Sequence, residues 1–183
     1  SEPEPTTESH RARPSENAAA SPRFPNAPRI VAIGDLHGDL AATKAALRLA
    51  GAIDDADRWI GGSLVLVQTG DILDRGDEER AILDLFERLT KEASDTGGAV
   101  HQLLGNHELM NVAGDLRYVT PGGFREFTAL PGLDMGGLES LEPRARPRMA
   151  AFRPGGPYAE KLARFKATIL VGETIFAHGG VLP

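Results

Sequence analysis

"RIVAIGDLHGDLAATKAALRLAG", residues 29–51, decides the architecture. Its first six residues are a short apolar run rich in β-branched side chains. From Asp39 onward Leu40, Ala46, Leu47 and Ala50 fall near helical spacing, and Gly51 stops the pattern. The stretch reads as strand, loop and helix. The unit recurs: "SLVLVQ" (63–68) predicts a strand, a polar loop follows, and "EERAILDLFERLTKEA" (78–93) predicts an amphipathic helix with Ile82, Leu83, Leu85, Phe86 and Leu89. "AVHQLL" (99–104) predicts a third strand, "YAEKLARFKA" (158–167) a helix, and "TILVGETIFAH" (168–178) two strands about a tight turn at Gly172 and Glu173. Strands alternating with helices predict an α/β fold with largely parallel pairing.

Two stretches depart from this rhythm. Residues 1–28 hold six of the thirteen prolines, four Glu and only Phe24 as a large apolar side chain, which is too little hydrophobic surface to offset ordering entropy. They are expected to be a disordered tail or linker ahead of a domain spanning 29–183. Residues 113–157 carry six more prolines and eight glycines without clean periodicity, and a connection this long inside a compact domain is expected to be a lid or substrate loop. With 183 residues and 41% hydrophobic content, one ordinary core is expected. The net charge of -6 and scattered basic residues argue against a nucleic-acid partner. No apolar run approaches the roughly 18 residues that span a bilayer, so the chain is read as soluble, without a membrane partner. It opens at Ser1 without an initiator Met, so an upstream segment is expected to have been removed, and the compartment stays open. The chain has no Cys, which excludes disulfides, thiolate ligands and a cysteine nucleophile together.

The chemistry follows the strands. "GDLHGD" comes after "RIVAI", "GDILDRGDE" after "LVLVQT", "GNHE" after "AVHQLL" and "HGG" after "TIFA". Four predicted strands thus deliver polar residues beside a glycine at their carboxyl ends, the edge where sites in α/β sheets assemble. Asp35, His37, Asp71, Asn106 and His178 offer oxygen and imidazole donors suited to Mn, Fe or Zn, and three of the five histidines lie in these loops. The spacing of Asp71 and Asp74 does not fit an EF-hand, and no P-loop is present. "HELMN" (107–111) imitates the zinc-protease pattern H-E-x-x-H, but Asn111 replaces the second ligand, and "GNHE" is read as a strand-end loop. His101 is expected to be a packed or edge histidine and Trp59 to be core or loop packing, while Arg117 and Tyr118 are candidates to line a cleft.

In this order and spacing "GDLHG", "GDILDRG", "GNHE" and "HGG" resemble the metal-dependent phosphoprotein phosphatases of the calcineurin-like superfamily. "LLGNHE", "GDLRYVTPGGF" (114–124) and "FRPGGPYA" (152–159) look like the Shewanella-like protein phosphatases within it. The resemblance implies a central β-sandwich flanked by helices, of which this chain holds the N-terminal part, and a two-metal phosphomonoesterase. It implies that Asp35 and His37 hold one ion, Asp71 bridges both, and Asn106 and His178 hold the other. A hydroxide made available by the two cations would attack phosphorus in line. Arg75, with Asn106, would bind the phosphoryl group, and His107, oriented by Asp74, would be the general acid. Glu108 would be a partner of the ligands or a structural residue.

The resemblance also implies a further His ligand and a phosphate-binding Arg beyond the last motif, and Pro183 comes before either. A longer parent protein, or a second polypeptide carrying the rest of the catalytic domain, is therefore expected. The expected substrate is a phosphoprotein or phosphopeptide. A dinucleotide polyphosphate hydrolase and a noncatalytic phosphate-binding module are the alternatives.

Overall fold

The structure, a computed structural model, describes residues 22–181. Strand β2 (Ile30–Ile33) pairs parallel to β3 (Val65–Gln68), and β3 pairs parallel to β4 (Ala99–Gln102), giving the sheet order β2-β3-β4. A second sheet is ordered β1-β5-β6, with β1 (Arg23–Phe24) parallel to β5 (Thr168–Val171) and β5 antiparallel to β6 (Thr174–Ala177). Alternation along β3 divides the core. Val65 and Val67 face Ile169 and Val171 of β5 and close the space between the sheets, while Leu66 joins the larger cluster under the helices. This is the expected β-sandwich.

Helix α1 (Leu40–Leu49) starts at Asp39, whose carboxylate accepts the Ala42 N–H at 2.8 Å. Helix α2 (Glu79–Asp95) buries Ile82, Leu83, Phe86, Leu89 and Ala93, the i, i+3, i+4 stripe expected of its sequence. Both pack on the sheet β2-β3-β4 through the larger cluster.

Four expectations change. Of the tail expected over 1–28, residues 1–21 lie outside the described residues, but the last part is ordered as β1. The carbonyls of Pro22 and Phe24 accept N–H groups of Leu170 and Gly172, at 2.8 and 3.0 Å. Pro22 needs no donor for this, and Phe24 packs on the His101 ring at 4.0 Å between centroids. The 113–157 stretch contains α4 (Pro121–Arg125) and α5 (Arg146–Phe152), and α6 (Pro157–Leu162) starts at its end. Three of its six prolines, Pro121, Pro147 and Pro157, sit in the first turns of these helices, where a missing N–H costs nothing. The helix expected over 158–167 ends at Leu162, because Lys166 turns to bridge Leu103 and its carbonyl accepts the Leu104 N–H at 2.9 Å. Finally, "NHE" is not loop but the first turn of α3 (Asn106–Val112). Trp59 is buried in the core cluster and His101 is half-buried on β4, both as expected.

Candidate metal centre

The carboxyl ends of β2, β3 and β4 place their loops side by side, and glycines set the spacing. A Cβ on Gly76 would stand 2.2 Å from the His37 carbonyl, and one on Gly70 would stand 2.5 Å from the Gly105 nitrogen. The loops therefore meet backbone to backbone. His37, Asp71, Asp74 and Arg75 have φ of 45°, 59°, 68° and 65°, left-handed values that few non-glycine residues adopt.

Hydrogen bonds from elsewhere hold this backbone. Five consecutive N–H groups are accounted for: Asp71, Ile72 and Leu73 donate to the Glu108 carboxylate, Asp74 to Glu79, and Arg75 to the Tyr118 carbonyl. Glu108 also accepts the Gly105 N–H at 2.7 Å. In the other direction, the Asp71 carbonyl accepts the N–H groups of Leu36 and His37 at 2.9 and 3.0 Å.

Within this frame the side chains converge on Asp71. Its Oδ1 accepts the His107 backbone N–H at 3.0 Å. Its Oδ2 lies 3.3 Å from His178 Nε2 and 3.9 Å from both His37 Nε2 and His107 Nε2. Asp35 Oδ2 is 3.7 Å from His37 Nε2, and Asn106 Oδ1 is 3.1 Å from His178 Nε2. Two groups of potential ligands result, His37 with Asp71 and His107, and Asp35 with Asp71 and His178, and they share Asp71.

The protons decide whether these groups suit a cation. His37 Nδ1 donates to the Leu73 carbonyl at 2.9 Å and His178 Nδ1 to the Thr69 carbonyl at 3.1 Å. A carbonyl only accepts, so Nδ1 carries the hydrogen and Nε2 presents a lone pair. Both Nε2 atoms then face carboxylate or amide oxygens, and His37 Nε2 is buried with no hydrogen-bond partner. Acceptors turned on acceptors are what a positive ion satisfies. Separations of 3.3 to 3.9 Å are those of donors sharing a first-row ion at about 2.0–2.2 Å each. The residues fit a metal.

His107, almost fully buried, is built differently. Its Nδ1 donates to Asp74 Oδ2 at 2.7 Å, and Nε2 turns to the cluster, 3.4 Å from Arg75 Nη2. Asn111, one helical turn on, donates to Asp74 Oδ1 at 3.0 Å. The spacing that imitates a zinc-protease helix therefore has a use of its own: residues i and i+4 address the two oxygens of one carboxylate. Arg75 is exposed, with its guanidinium carbon 5.5 Å from the Tyr118 ring centre. Tyr118 lies beside His107 at 5.2 Å, whereas Arg117 pairs with Asp115 on the surface.

A two-sheet α/β layer with Asp, His and Asn side chains brought together at its strand ends defines a metallophosphoesterase. The chain belongs to the calcineurin-like phosphoesterase family, which it matches over residues 28–181. It is 42% identical to Shewanella-like protein phosphatase 2 of Arabidopsis thaliana, over 92% of this chain and 50% of that protein. It is 35% identical to Shewanella-like protein phosphatase 1 of Plasmodium berghei, over 84% of this chain and 39% of that one. The crystal structure of the cold-active protein-tyrosine phosphatase of a psychrophilic Shewanella species superposes with a TM-score of 0.72 at 28% identity, covering 88% of this chain and 44% of that chain. The chain spans about half the length of the curated relatives it matches.

Sequence reading missed Arg148, Glu79 and Asn111, which stand behind Asp74. Glu79 left a signal: it is an acidic residue on the apolar stripe of α2. Arg148, between prolines and far along the chain, left none.

Proposed function

We propose that these loops form the dinuclear-metal centre of a phosphoprotein phosphatase, hydrolysing phosphomonoesters on proteins or peptides. The observation that supports this most is Asp71 standing between acceptors from two sides, His37 Nε2 with Asp35 and His178 Nε2 with Asn106, with the His107–Asp74 pair beside them. Asp35 and His37 would hold one ion, Asn106 and His178 the other, and Asp71 both, the ions being Mn, Fe or Zn. When bound, the two cations supply a hydroxide near neutral pH and offset the charge of the phosphate. Arg75, exposed, presents the planar fork that grips phosphoryl oxygens, and Asn106 would bind the phosphoryl group with it. His107, protonated at Nε2, gives its proton to the departing oxygen, while Asp74 faces the resulting ring through Nδ1. Since the sequence has no Cys, action on phosphotyrosine would use this same centre.

Elemental analysis of the purified chain, after exposure to Mn, Fe and Zn and removal of excess, is expected to find two ions. Asp71→Asn should lower occupancy of both, and full retention of either would sink the shared-ligand assignment. His107→Asn should keep its metal while slowing substrates with poor leaving groups by about 100-fold or more relative to activated ones. Loss of metal would make His107 a ligand instead. Turnover of a dinucleotide polyphosphate in preference to a phosphopeptide would move the chain to a different branch of the chemistry.

A further inference from the structure

Arg148 on α5 is the largest fully buried side chain among the described residues. Taking a guanidinium out of water costs several kcal/mol unless its charge and donors are met. Here all are met. Nε donates to Asn111 Oδ1 at 2.8 Å, Nη1 to Glu79 Oε2 at 2.5 Å and to the Gly123 carbonyl at 3.0 Å, and Nη2 to Glu79 Oε1 at 3.1 Å and Asp74 Oδ1 at 3.2 Å. The rings of Phe127 and Phe152 each lie 5.1 Å from its guanidinium carbon.

Pairing with Glu79 alone would neutralise the arginine. The contacts to Asp74 and Asn111 do something more. Asp74 Oδ1 receives Arg148 and the Asn111 amide together, so both its lone-pair positions are used and Oδ2 is left for His107 Nδ1. Arg148 Nε also requires the Asn111 oxygen to face it, which turns the Asn111 NH₂ toward Asp74 and the His107 carbonyl. The carboxylate cannot rotate, and the ring it addresses cannot flip.

We propose that Arg148 is a positioning residue: it locks Asp74 so that His107 keeps its hydrogen on Nδ1 and turns Nε2 to the reacting phosphate. The catalytic consequence rests on His107 being the general acid, as proposed above. It gives the 113–157 stretch a role other than the expected lid or substrate loop, since Arg148 reaches behind Asp74 and fixes the proton-carrying ring from there.

The test uses the 183-residue chain with ¹⁵N-labelled histidine, and NMR of the neutral imidazoles reports which ring nitrogen bears hydrogen. Two variants are compared. Arg148→Met leaves Glu79 and Asp74 buried without a cation, which works against folding. Arg148→Met combined with Glu79→Gln removes one charge of each sign, so the net charge around Asp74 is the same as in the parent. In whichever folds, His107 is expected to change from a single Nδ1–H tautomer to a mixture with fast-exchanging ring hydrogen. His37 and His178, held by the Leu73 and Thr69 carbonyls, should stay as they are. An unchanged His107 overturns the proposal, and so does an equal change in all three rings, which would mean that the site has merely loosened. In turnover, the variants should lose about 10-fold or more on poor leaving groups relative to activated ones. If His107→Asn shows no such selectivity, the acid assignment fails while the tautomer result still judges Arg148. If His107→Asn shows it and the Arg148 variants do not, the positioning role fails.

Discussion

Glu108 shows how far one side chain governs this site. Its carboxylate accepts four backbone N–H groups, one from Gly105 ahead of α3 and three from Asp71, Ile72 and Leu73 in the loop after β3, where Asp71 is left-handed. Burial pushes its pKa up, and the donors around it pull the other way. Glu108→Gln replaces one acceptor oxygen by an NH₂ that would face backbone donors. Chemical unfolding is expected to show a loss of about 2–4 kcal/mol, with weaker metal retention because Asp71 shifts. An unchanged midpoint would mean that the loop holds itself. The predicted donors of the site were legible because Asp, His and Asn beside glycine at strand ends carry a chemical signature. Glu108 was legible only as a ligand partner or a structural residue, since what it binds is backbone, and backbone N–H groups look alike in every sequence. Arg148 was not legible at all: its partners are scattered from Asp74 to Gly123 and only the fold collects them.

At the scale of elements, periodicity placed β2, α1, β3, α2, β4 and the β5–β6 hairpin, because each carries its own apolar pattern. It did not place α3, α4 or α5, which are seven residues or fewer and are fixed by contacts outside themselves. Helix α2 shows the same dependence at its start. Glu78 makes no side-chain cap, and the N–H groups of Glu79 and Arg80 donate instead to Glu126, at the end of α4, at 3.0 and 3.2 Å. Burial, and then the nearby charge of Glu79, raise the Glu126 pKa from 4.5 to about 7. Between those values the folded chain keeps a proton that the unfolded chain has released, so stability falls as pH rises. The contribution is complete below 4.5 and is lost through about 7. Because the group is partly solvated, the change is expected to be about 1 kcal/mol rather than the full shift. Urea unfolding on either side of that window should show it, and Glu126→Gln, which keeps an acceptor for the helix, should flatten the slope. A variant as pH-sensitive as the parent would assign the effect to another group.

For the whole molecule the decisive fact is that three strand-end loops and the start of the last motif meet at one carboxylate. Asp71 lies 3 % exposed, and Asp35, His37, His178 and Asn106 turn acceptors toward it or toward one another. With no cation between them, those groups repel across every loop joint, and the fold bears the cost. An ion bound only by the folded state removes that repulsion and adds RT ln(1 + [L]/Kd), about 2.7 kcal/mol at a hundredfold excess over Kd. For a chain of this size that is a rise of roughly 5–10 °C in Tm on adding Mn or Zn, reversed by a chelator. Asp71→Asn takes away the shared anion while its amide oxygen can still accept the His107 N–H. The metal-free variant should therefore melt no lower than the metal-free parent, and its rise with metal should be largely lost. An equal rise in both chains would put the stabilising ion somewhere other than between these loops, and the two-sheet frame would then have gathered its acceptors for another purpose.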